Sequence, residues 1–130
     1  MRLSRSTLSA FAAILALAPM FSLGAQQKRL ISQAALIAIV ENHKGAVLRY
    51  IDAAPDSMLG FRPTKGVRNF AEQIEHAAGS DALIAALAIT GSTKTMPSFG
   101  DSASYLHNKA ALKKYSAAAM DYTIKLLQGV

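Results

Sequence analysis

Apolar residues recur three and four positions apart along residues 32–128, and this period predicts helices, not strands. A first helix is predicted from Ser32 to Ala53, with Leu36, Val40, Val47, Tyr50 and Ile51 on one stripe and Pro55 just past its end. At about 100° per residue His43 falls inside that stripe, whereas Glu41, Asn42 and Arg49 point elsewhere. A second helix is predicted to start at Asn69 and to end near Ile89, before Gly91. Asn69 and Glu72 form a capping-box pair, and Glu72 and Glu75 suit the positive end of the helix dipole. Its main stripe is Phe70, Ile74, Ala77, Ala78, Ile84 and Ala88. A third helix is predicted from the cap Asn108 to Gln128, with Leu112, Tyr115, Ala119, Tyr122 and Leu126 in period and Gly129 as its stop.

Two loops join these helices. "APDSMLGFRPTKGVR" (54–68) offers Met58, Leu59 and Phe61 as a plug for one end of the core, and "TGSTKTMPSFGDSAS" (90–104) reads as a long polar connection. The fold class is therefore all-α, an up-down helical bundle. Three long amphipathic helices leave apolar stripes that a fourth helix would cover.

The first residues stand apart from this pattern. "MRLSRSTLSAFAAILALAPMFSLGAQQ" places Arg2 and Arg5 before an apolar run from Leu8 to Leu17, followed by Pro19 and small residues up to Ala25. That order predicts a secretory signal peptide over 1–25, a single domain over 26–130, and a secreted or periplasmic location. The alternative, an uncleaved anchor, fits less well, because the run falls short of the roughly 20 residues that span a bilayer. The 130 residues include no Cys, so disulfides, thiol catalysis and thiolate metal sites are excluded. Two of the 14 basic residues lie in 1–25, which leaves 12 against 8 acids, a net charge of +4. Lys109, Lys113 and Lys114 are the one basic cluster. Without interleaved aromatics they read as a solvated helix face, and no nucleic-acid partner is expected, nor any membrane after signal cleavage.

The candidate chemistry rests on histidines. His76 lies on the shoulder of the second helix's apolar sector, on a line with Leu83 and Leu87 and beside Gln73 and Ser80. The wheel leaves open whether it packs or binds a metal. His43 poses the same question, and it would meet His76 if the first two helices were antiparallel neighbours. Two histidines are fewer ligands than a zinc site uses. His107, just before the third helix, is expected to be exposed. The chain has no HExxH, no HxxxH and no Gly-rich phosphate loop.

"MLGFRPTKGVRNFAEQIEHAAGSD" (58–81) resembles the segment between the first two helices of the DinB-like (YfiT-like) superfamily of metal-dependent four-helix-bundle proteins. The likeness is carried by Phe61-Arg62-Pro63, Arg68, Asn69-Phe70 and His76-Ala77-Ala78, and the preceding residues 35–59 suit that family's first helix. The resemblance implies a four-helix bundle of which this chain has three helices. It also implies a divalent metal, nickel or zinc, on three histidines, with open positions for a small-molecule substrate in transferase-like chemistry. His76 matches the first ligand, and His43 is a weaker candidate. The other two ligands form an HxxxH on the family's fourth helix, and no residue here matches them.

Two explanations follow: a truncated reading frame that lacks the fourth helix, which the order of elements favours, or a partner chain that supplies it. In the truncated case the stripes leave an apolar groove open to homo-oligomerisation. Two functions stay open: a metal-dependent enzyme with an incomplete three-His site, or a non-enzymatic periplasmic helical interaction module.

Overall fold

The computed structural model describes residues 31–130, all helix and connection with no strand among them. The signal peptide predicted over 1–25 lies outside the described residues. Three long helices form where local signals place them. α1 runs Gln33–Ala53, α2 Phe70–Thr90, and, after the one-turn α3 at Ser102–Tyr105, α4 runs Lys109–Gln128. Each long helix opens on a side-chain cap. Ser32 accepts from the Ala35 N–H (3.1 Å) and Asn108 from that of Ala111 (2.9 Å). Asn69 and Glu72 make the reciprocal box, each accepting the other's backbone N–H at 2.8 Å. Gly91 closes α2 in the left-handed conformation (φ 72°), which costs glycine little.

Side-chain contacts near the ends set the helix directions. Gln33 Nε2 donates to the carbonyls of Leu127 (2.6 Å) and Val130 (2.7 Å), and Lys109 Nζ donates to that of Asp52 (2.9 Å). α1 and α4 are therefore antiparallel. The Ala71 N–H donates to the Leu59 carbonyl (3.1 Å), which starts α2 at the end of the bundle where α1 finishes. α2 thus runs parallel to α4, and residues 91–108 travel back along the bundle to join them.

That return segment departs from the expected polar loop. It carries α3, capped by Asp101, and it supplies core. Tyr105 is buried and stacks on Tyr115 (4.2 Å between centroids), and Phe99 meets Tyr115 edge-on (6.2 Å) and Tyr122 at a tilt (5.6 Å). Met96, Phe99 and Leu106 pack against the core from this segment. The aromatics stand in no helical period, so no wheel reveals them.

α4 is the central helix and packs against both α1 and α2. Ile51, Leu112 and Met120 are fully buried there, and the enclosed hydroxyls of Ser116 and Thr123 bond to carbonyls one turn back. The backbones of α1 and α2 scarcely approach each other, so they flank α4 instead of forming a close pair.

This placement corrects two stripe assignments. On α1, Val47 and Ile51 point at α4 with Leu36 and Val40 half-buried beside them, whereas Tyr50 (65% exposed) and His43 are outside the core. They sit roughly 100° and 80° around the helix from Ile51. On α2, Ile84 (63% exposed) and Ala88 face away from the core, and Ala71, Ile74, Ala78, Ala82, Ala85 and Ala86 make the inner face. Among the described residues no helix is long and apolar enough to cross a membrane.

Candidate functional site

α2 carries few charges. Between Glu75 and Lys94 the one charged residue is Asp81. The helix is apolar nearly all round from Ala82 to Ile89, so burying one face necessarily leaves another apolar face outside. The inner face consists mainly of small residues, and at Gly79 even a Cβ would come within 2.6 Å of the Tyr115 hydroxyl. Large residues fall outside: Leu83 is 44%, Ile84 63% and Leu87 49% exposed. With His76, Ser80 and Thr90 they follow spacings of four and three, the seam of a packed helix pair. On the flank of α1 that faces α2, Ile39 (54% exposed) joins Tyr50.

The histidines lie around this face without meeting at one centre. His43 Nδ1 is 2.9 Å from Asp81 Oδ2, a side-chain bridge between α1 and α2. The His76 ring lies 3.3 Å from the Ser80 hydroxyl, one turn along its own helix. Asp81 is five residues beyond His76, roughly 140° around the helix, so the two polar pairs diverge. His107 is exposed, as its position before the α4 cap suggests. Among the described residues no three His, Asp or Glu side chains are grouped to hold a metal ion, so these residues do not by themselves make a three-His centre. Sequence reasoning missed the His43–Asp81 bridge, because it depends on the angle at which α1 and α2 splay over α4.

The loop before α2 is built as a clamp. Arg62 Nη2 donates to Glu72 Oε1 at 2.6 Å, and its Nη1 donates to the Val67 carbonyl. The Phe70 N–H donates to the Phe61 carbonyl (3.1 Å). The Asn69 backbone N–H holds the Glu72 carboxyl below its ordinary range; partial desolvation opposes this, and the Arg62 guanidinium adds to it. Burial, and then the Glu75 carboxylate, push the Tyr115 phenol well above its usual value.

In comparisons with known proteins, no family model matches this chain, and neither does any curated protein or solved structure.

Proposed function

We propose that this chain is a helical assembly module on the DinB-like pattern, in which the outward face of α2 binds the same face of a second copy. The observation that carries this reading is the cluster of Leu83, Ile84 and Leu87, large aliphatics left exposed within two turns of α2. A solvent-facing helix normally carries charges there, and a contiguous apolar patch marks an interaction surface. A second copy suits the chemistry because the seam bears no charge to repel its twin, and a two-fold contact needs only self-complementarity. The heptad-like spacing from His76 to Thr90 supports helix-on-helix packing.

Light scattering on the purified protein tests this. The expected result is a metal-independent dimer that becomes monomeric in the Leu83→Ser/Leu87→Ser variant. A wild-type monomer at high protein concentration contradicts it.

A second reading has its own observation. His76 shares the exposed face and has Ser80 as its partner, so its ring can take a metal from outside the chain. On this reading nickel or zinc is completed by donors on an added helix, and transferase-like chemistry on a small molecule belongs to that assembly. A dimer that forms only with metal and is lost in His76→Ala favours this reading over the first.

A further inference from the structure

The clamped loop borders an open, shallow cavity of about 360 Å³ at the end of the bundle where α2 begins. It is lined by the apolar Met58, Phe61, Pro63, Val67 and Phe70 and by the polar Arg68, Asn69 and Gln73. Phe61 and Val67 are exposed although both belong to an ordered, hydrogen-bonded loop. Their apolar surfaces do not pack into the bundle core, and the cavity between them is the concavity they frame. The walls are held in place without a ligand. Arg62 fixes the Val67 carbonyl and the Glu72 carboxylate, and backbone bonds tie Phe61 to Phe70 and Leu59 to Ala71. A site formed in advance loses little ordering entropy on binding. Its volume lies at the lower end of the roughly 300–1,000 Å³ of small-molecule pockets.

Charge decides what kind of molecule fits. Glu72 is already engaged, one oxygen by Arg62 and the other by the Asn69 N–H. Arg68 makes no hydrogen bond to any described residue, although its charge reaches Glu72. Arg62 and Glu72 neutralise each other beside the cavity, so Arg68 is the one charged residue among those that line it. The first-turn N–H of Glu72 is taken by Asn69, so the anchor for an anion is the Arg68 side chain and not the helix end.

We propose that this cavity binds an apolar monocarboxylate, an aliphatic acid whose chain lies on Phe61, Val67 and Phe70 and whose carboxylate pairs with Arg68. Arginine suits this role because its planar guanidinium matches a carboxylate with two parallel hydrogen bonds. The inference is independent of dimerisation, since the cavity lies in the loop before α2, away from Leu83 and Leu87.

The test is an amide NMR titration of the purified protein with octanoate and, in parallel, with octanol. Octanoate is expected to shift resonances of residues 58–73 and to bind about two- to fivefold more tightly than octanol, the ratio for one partly exposed ion pair. Arg68→Gln is expected to abolish that preference while leaving octanol binding unchanged, and Arg68→Lys to retain part of it. Equal binding of the two probes by the wild type, shifts confined to the Leu83–Leu87 face, or no binding of octanoate each overturns the proposal. An unchanged preference in a folded Arg68→Gln protein also overturns it. The comparison of the two probes on the wild type decides the matter even if that variant does not fold.

Discussion

Toward α4, α2 presents Ala71, Ile74, Ala78, Gly79, Ala82, Ala85 and Ala86, and toward the outside it presents Leu83, Ile84 and Leu87. The usual arrangement, large apolar residues inward, is reversed over the second half of the helix. Full burial of a leucine is worth about 1.5–3 kcal/mol, so the reversal forfeits several kcal/mol of transfer free energy on the outer side. What the inner side gains is proximity. A surface of alanine and glycine lets α2 seat close to α4, where Leu112, Tyr115 and Met120 are buried. The contrast teaches that burial follows how closely two backbones can approach, even where this leaves the bulkier face outside.

Enlarging the inner face should have the largest effect. Ala82 is fully buried, so Ala82→Leu must either displace α4 or force a poor rotamer. The expected loss is about 1–3 kcal/mol by urea unfolding, from overpacking. If Ala82→Leu were neutral, α2 would not be seated as tightly as its small residues imply.

The contact at Gly79 is a finer probe, because its sign should reverse with context. A Cβ there would come within 2.6 Å of the Tyr115 hydroxyl, whose ring is held by Tyr105 and Phe99. Gly79→Ala should therefore cost about 1 kcal/mol despite the better helix propensity of alanine. In a Tyr115→Phe background the hydroxyl is gone, and the same substitution should stabilise by about 0.5–1 kcal/mol. A double-mutant cycle by thermal or urea unfolding reads the coupling directly. If the cycle is additive, the close approach is not what constrains residue 79.

Tyr115 also makes a prediction about pH. Its phenol is raised in the folded protein, so its contribution to stability is complete below the unfolded phenol's ordinary 10.0. That contribution is lost as pH rises above that value and through the folded one. Tyr115→Phe should flatten the expected loss of stability above pH 10, as measured by urea unfolding at a series of pH values. An equal alkaline loss in the variant would place the sensitivity elsewhere. The smallest effect belongs to the outer face. Leu83→Ser/Leu87→Ser should change monomer stability by no more than about 0.5 kcal/mol per site while abolishing the proposed dimer. A large monomer loss would mean that these leucines already contribute to the folded monomer.

Much of the fold was legible in the sequence because its signals are local. Ser32, Asn69 and Asn108 start the long helices where their side chains can reach a first-turn N–H, and Pro55 and Gly91 stop them within a residue or two of where they end. The candidate site was less legible. The wheel puts His43 inside the α1 stripe and His76 on the shoulder of an α2 stripe that includes Ile84 and Ala88. The structure turns α1 by its Val47–Ile51 side and α2 by its alanines, so His43 reaches across to Asp81 and His76 stands beside Ser80 on the outer face. A wheel weighted for small residues would have found α2's inner face from Ala78, Ala82, Ala85 and Ala86.

By itself, then, the sequence determined that the chain is helical, where the three long helices begin and end, and that their apolar surface exceeds what one helix pair can cover. These are consequences of backbone hydrogen bonding and capping within a few residues. The tertiary structure alone decided that α4 stands between α1 and α2, that Phe99 and Tyr105 of the returning segment close over Tyr115, and which side of α2 remains outside. Those outcomes depend on distances between backbones far apart in sequence. They follow from how closely small side chains let helices approach, which no period along a single helix records.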